Sequence, residues 1–153
     1  MAKRVIEGLD GIRALAGQRL GPGEWLPITQ ERVNAFADAT LDHQWIHVDV
    51  ERARAESPFG GPIAHGYLTL SLLPHLLWEL IEVANVSTTI NYGLNRLRYP
   101  APVKVGGRIR LDVSVAAVEE IRGGVQCQLD CVLETEGGDK PALVAEVLFR
   151  WYA

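Results

Sequence analysis

Three segments in the second half of the chain alternate apolar and polar residues with period two, the pattern of strands with one buried face. Ile109, Leu111, Val113 and Val115 share one parity within 108–118. Val125, Cys127, Leu129, Cys131 and Leu133 repeat the pattern, as do Leu143, Ala145, Val147, Phe149 and Trp151. Gly123-Gly124 and Gly137-Gly138 fall between them, where hairpin turns belong. A fourth strand is predicted over 86–99, with Ile90, Tyr92 and Leu94 on one parity and Leu97 and Tyr99 on the other. The switch near Asn95 predicts a bulge, since one extra residue reverses the side-chain alternation.

The first half reads mainly as helix. A weak helix over 8–17 is interrupted by Gly11, Gly21-Pro22-Gly23 makes a turn, and Trp25 to Ile28 forms a short strand. Thr29 can cap a helix through Ala39 that turns Val33, Phe36 and Ala37 inward. Residues 40–48 read as a loop, and Asp49 can cap a short helix over 51–55. Ser57-Pro58-Phe59-Gly60-Gly61-Pro62 then breaks any helix. From about His65 to Leu80 runs a helix that is apolar almost all round, a type normally wrapped by the rest of a protein. It would span roughly 24 Å, the width of a small sheet, and Pro74 predicts a kink within it. One buried helix against an antiparallel sheet is an α+β layer architecture.

Bulk properties narrow the function classes. The 153 residues fit a single domain, 1–153, with its core over about 25–152. A net charge of −4 disfavours nucleic acid, whose phosphates require a basic face. The richest apolar stretch, 67–78, is too short for a bilayer, and the basic start at 1–7 lacks the apolar run of a signal peptide, so a cytoplasmic location is expected. Cys127 and Cys131 lie on one face of a strand in no zinc or redox motif and read as reduced, buried residues.

Two neighbouring segments depart from what packing alone would select. Residues 39–49 interleave Asp42, His43, Gln44, His47 and Asp49 with large apolar side chains, and residues 59–66 form a Gly/Pro turn entering the apolar helix. A carboxylate and an imidazole gripping one water can take a proton from it and deliver one elsewhere, because their ordinary pKa values of about 3.9 and 6.5 are tuned easily by burial. Asp42 and His47 could aim at one point from a bent loop. The free N–H groups at a helix start, around His65 and Gly66, could polarise a developing oxyanion, and Gly66 has no side chain to block approach. The same residues also have structural readings: Asp42 capping a turn, His47 bonding a carbonyl, His65 stabilising the loop, Asp49 as a helix cap and His43 exposed. Asn91 on its strand could be buried and functional, and Arg96, Arg98, Lys104 and Arg108 could meet phosphates or simply be solvated.

The segments Asp42-His43-Gln44-Trp45-Ile46-His47-Val48-Asp49 and Pro58-Phe59-Gly60-Gly61-Pro62-Ile63-Ala64-His65-Gly66 resemble the signature of the MaoC-like dehydratase and R-specific enoyl-CoA hydratase family. Residues 64–72 and 90–95 narrow the resemblance to its single-hot-dog subgroup, which includes 3-hydroxyacyl-thioester dehydratases and nodulation-protein-N-like proteins. It extends from about Trp25 to Trp151. The resemblance implies a hot-dog fold and a homodimer whose two sheets join edge to edge. It implies Asp42 and His47 as catalytic residues, with the Gly66 backbone N–H at the thioester; His65, beside Gly66, is a candidate for the same oxyanion and thioester site. The substrate would be an acyl-CoA thioester, with no metal and no cofactor apart from the coenzyme A of the substrate. A thioesterase of the same fold and a non-catalytic acyl-binding protein are the competing readings. The family pattern has Gly immediately before the Asp where this chain has Leu41; if that position needs φ > 0, Leu costs about 1 kcal/mol. Some R-hydratases carry a Ser in the helix where this chain has Pro74, leaving Asn91 as the leading candidate for a third polar group.

Overall fold

The alternating segments do pair, and their register explains the core. In the computed structural model, which describes residues 2–153, the chain order is β1 (Arg4–Glu7), α1 (Gly8–Arg13), β2 (Leu26–Pro27), α2 (Gln30–Thr40), α3 (Trp45–Val48), α4 (Val50–Glu56), α5 (Gly66–Leu80), β3 (Ile81–Ala84), β4 (Thr88–Arg98), β5 (Arg108–Ile121), β6 (Gly124–Thr135) and β7 (Leu143–Tyr152). Five strands form an antiparallel sheet in the order β2-β5-β6-β7-β4. Val113 sits opposite Cys131, which sits opposite Ala145; Leu129 lies between Val115 and Val147. Odd-numbered residues therefore stand beside odd-numbered residues across three strands, and all of these are at most 2% exposed. A one-residue slip would turn that whole set to solvent, so burial pins the register.

Helix α5 closes the core through Leu68, Leu73, Leu76, Leu77 and Leu80. With the curled antiparallel sheet around it, this is the α+β hot-dog arrangement. The helix is less enclosed than its composition suggests. Tyr67, Ser71, His75 and Glu79, four residues apart, form an exposed stripe, because the sheet covers only one side of the helix. Pro74 is accommodated inside it.

Other expectations resolve in particular ways. Thr29 Oγ1 accepts from Arg32 N and caps α2, and Asp49 caps α4 by accepting from Arg52 N. The stretch expected to be loop contains the short helix α3. The parallel pairing of β1 with β3 was not visible in the sequence, since it joins distant four-residue segments with little alternation. Strand β4 is displaced in register after Asn91 and again after Leu94, leaving Tyr92 and Asn95 unpaired, so the bulge expected near Asn95 has a companion. Ile90, Tyr92 and Leu94 are 43%, 54% and 41% exposed. Cys127 and Cys131 are free and buried, and burial pushes both thiols up to about 12. Among the described residues no helix is long and apolar enough to cross a membrane.

Leu41 ends α2 in the left-handed conformation, φ 64°, and is 82% exposed. A branched side chain there is strained and recovers almost nothing by burial. Leu41→Gly is therefore expected to raise stability by about 1 kcal/mol in urea unfolding, and an unchanged or lower midpoint would show that the turn is not strained.

Candidate active site

The site grows from the end of α2. After the left-handed turn at Leu41, Asp42 Oδ1 accepts a hydrogen bond from Gln44 N at 3.3 Å, an Asx turn that bends the chain into α3. Gln30 on α2 donates through Nε2 to the His47 carbonyl at 2.8 Å and anchors α3 from behind. The Gly/Pro turn then returns beside this loop: Ile63 N donates to Ile46 O at 3.0 Å, and Ala64 N to Val103 O at 2.8 Å. Sequence-distant segments are thereby sewn together immediately before α5 begins.

His47 is 6% exposed, and its Nδ1–H donates to the Ile63 carbonyl at 2.6 Å. A neutral imidazole with Nδ1 protonated carries its lone pair on Nε2, so the ring presents a base. Burial holds the His47 pKa below its ordinary value; the Ile63 carbonyl and Asp42 pull it upward, and His65 adds to the lowering. His65, 2% exposed, stacks on His47 with centroids 3.9 Å apart and planes at 25°, and its Nε2–H donates to the Asp42 main-chain carbonyl at 3.0 Å. One donor atom from each of Asp42, His47 and His65 lies within 4.8 Å of the others. The trio has the residue types of a metal site, but near-parallel imidazole planes keep their in-plane lone pairs from converging on one centre as tetrahedral coordination requires. Hydrogen bonding to a small polar molecule suits them better.

Beside His47 lies a cavity of about 380 Å³ whose wall includes Phe59, Ile63, Gly66, Thr69, Tyr99 and Val103. Gly66 is the first residue of α5, where N–H groups have no helical acceptor. A Cβ at Gly66 would stand 3.0 Å from the Tyr99 ring, so any larger residue there would press on that ring as well as narrow the approach. Thr69, 2% exposed, donates through Oγ1 to the Gly66 carbonyl at 2.7 Å and braces the helix start. Burial, aided by Tyr67, raises the Tyr99 pKa.

Asp42 and His47 thus meet at one place, and His47 and Gly66 share the cavity wall, of which the exposed Asp42 is not itself a part. His65 contacts Asp42 and His47 from behind and is not part of the cavity wall either. Asn91 is elsewhere: it lines a separate cavity of about 530 Å³ with Pro74, Trp78, Thr89 and Phe149, so a single chain does not bring it to the pair. Arg108 is bound to Glu136, Lys104 lines a smaller cavity with Arg54, and Arg96 and Arg98 are exposed on β4. His43 is exposed and bonds Asp38, and His75 is exposed. Sequence reasoning missed Thr69 and Tyr99. The break Tyr99-Pro100-Ala101-Pro102, which must leave the strand, was the available signal for the second.

The chain is similar to known proteins over nearly its whole length. Residues 12–136 match the family described as MaoC like domain. The chain is 51% identical over 151 residues to 3-hydroxyacyl-thioester dehydratase Z of Mycobacterium tuberculosis, covering 98% of this chain and 99% of that protein. It is 42% identical over 139 residues to Nodulation protein N of Rhizobium meliloti, covering 90% of this chain and 86% of the other. Among solved structures, the (R)-hydratase from A. caviae involved in PHA biosynthesis superposes with a TM-score of 0.72 at 28% identity, covering 88% of this chain and 94% of that one. With the family matched over most of its length, and a relative covering nearly all of it, this chain belongs to the MaoC-like domain family.

Proposed function

We propose that the protein is a hydro-lyase, an enoyl-thioester hydratase and 3-hydroxyacyl-thioester dehydratase, adding water reversibly to a trans-2-enoyl-CoA to give the (R)-3-hydroxyacyl-CoA. The observation that carries the reading is the convergence of Asp42 and a neutral, buried His47 beside an apolar cavity bordered by the start of α5. The dehydratase name of the relative and the (R)-hydratase name of the structural neighbour support both the reaction class and the hand of the product.

The chemistry follows from the groups present. A water held between Asp42 and His47 loses a proton to His47 Nε2 as its oxygen bonds to C3 of the enoyl group. The C2–C3 π electrons move toward the thioester, and the Gly66 N–H stabilises the enolate oxygen. C2 then takes a proton back from the Asp42–His47 pair, which ends in its starting protonation state. Addition of water needs no external oxidant or reductant, and the Gly66 N–H supplies the carbonyl polarisation, so the reading uses no cofactor beyond the coenzyme A of the substrate and calls on no metal.

The assembly proposed is a homodimer. Strand β4 ends the sheet with an unpaired edge carrying Ile90, Tyr92 and Leu94, each more than 40% exposed. A long apolar edge is a template for a second strand unless it is blunted by charge or covered.

Three measurements test these assignments. Asp42→Asn and His47→Gln are each expected to lower crotonyl-CoA hydration by about 10²–10⁴-fold at unchanged melting temperature. Ordinary turnover in either variant, or free thiol release in place of hydration by the wild type, defeats the proposal. The pH profile follows from His47, faced by Asp42 and His65. Its neutral form is the base, and a lowered pKa keeps it neutral to lower pH. The acid limb of kcat/KM for hydration should thus fall with a midpoint below 6.5, and a midpoint above 6.5 contradicts the assignment. In size-exclusion chromatography with light scattering, the wild type should run at twice the chain mass and an Ile90→Lys/Leu94→Lys variant at the chain mass; a monomeric wild type rules out the edge-joined dimer.

A further inference from the structure

His65 is a buried titratable group, beside the reacting pair, that the chemistry above leaves unused. It lies outside the wall of the substrate cavity, and one of its ring nitrogens, Nδ1, is buried without a hydrogen-bond partner among the described residues. A residue serving the thioester would face the cavity. One serving as a proton donor would need a free N–H directed at the substrate. The Nε2 position instead faces the Asp42 carbonyl, a pure acceptor, so in the neutral ring the proton is on Nε2 and the buried Nδ1 holds a lone pair.

Resting on the hydratase reading, we infer that His65 is a positioning residue: it fastens the Asp42 main chain and backs the His47 ring, fixing the separation of the two groups that share the water. Three contacts converge on this side chain. Its Nε2–H holds the Asp42 carbonyl at 3.0 Å, its ring stacks on His47 at 3.9 Å, and Phe36 of α2 packs on it at 4.9 Å. Its own carbonyl accepts from Leu68 N and Thr69 N in the first turn of α5, one residue from the Gly66 N–H. The one residue therefore relates carboxylate, base and oxyanion donor to a single rigid helix end.

Leu41 supplies the physical need for such a clamp. Asp42 follows a non-glycine residue held at φ 64°, and among the described residues its side chain has only the 3.3 Å hydrogen bond from Gln44 N. Strained backbone persists only where its surroundings over-determine it. Removing the Asp42 carbonyl's anchor lets that turn relax and carries the carboxylate away from His47, while the cavity that binds the acyl group stays intact.

The test separates donor from ring. His65→Phe keeps a packed ring without the N–H, and His65→Gln offers an N–H at similar reach without the imidazole. The expected result is a kcat for crotonyl-CoA hydration about 10²-fold lower in His65→Phe with KM nearly unchanged, and recovery of about ten-fold in His65→Gln. Wild-type kcat in His65→Phe overturns the inference, as does a His65→Gln variant no faster than His65→Phe. Should His65→Phe not fold, long-range 1H–15N spectra of the wild-type protein decide: the proton must be on Nε2 of His65 and Nδ1 of His47, and the opposite His65 tautomer overturns the inference. These spectra need no turnover, so an inactive wild type would count against the hydratase reading alone.

Discussion

Helix α5 hides its leucines in a core walled by the odd-numbered face of β5, β6 and β7, and the remaining architecture follows from that packing. Ten of the odd-numbered side chains on those strands, Ile109 to Val115 and Val125 to Leu129 and Leu143 to Val147, are at most 2% exposed. At about 25 cal/mol per Å² of apolar surface, a set this size dominates the folding free energy and leaves a single register acceptable. It also fixes where α5 starts. The helix enters the core at Gly66, so its unpaired N–H groups lie at the rim, next to an apolar cavity that His47 borders.

Chemistry is then hung on this rim by hydrogen bonds between segments that are distant in sequence. The Asp42–His47 loop has little regular structure of its own. It is tied to the 63–65 turn through Ile46, His47 and Asp42, and to α2 through Gln30. Each tie satisfies a backbone carbonyl or N–H that would otherwise be costly to bury, so satisfying the backbone and positioning the side chains are one event. The stacked imidazoles share the same environment, and desolvation favours the uncharged state of His47 that a base requires.

Two features lie outside the economy of a single folded chain. Leu41 holds a left-handed turn beside Asp42, and β4 presents apolar residues on an unpaired edge. Stability alone selects against both, and both adjoin elements to which the proposed activity assigns a role: the carboxylate in one case, the partner subunit in the other.

Much of this was legible in the sequence. Period-two alternation located the inward residues of β5, β6 and β7 one by one, since side-chain direction along a strand is a local property. Thr29 and Asp49 announced helix starts for the same reason, and the Asp42–His47 and Gly66 segments stood out because packing alone would not choose them. Tertiary structure decided what depends on distance. The β1–β3 pairing, the open stripe on α5, the distance of Asn91 from His47, and the contacts of Thr69 and Tyr99 with Gly66 are facts about segments that meet only after folding. The sequence determined which residues can be buried and which can do chemistry; the fold decided which of them touch, because contact between remote segments is set by how one core closes and not by any local pattern.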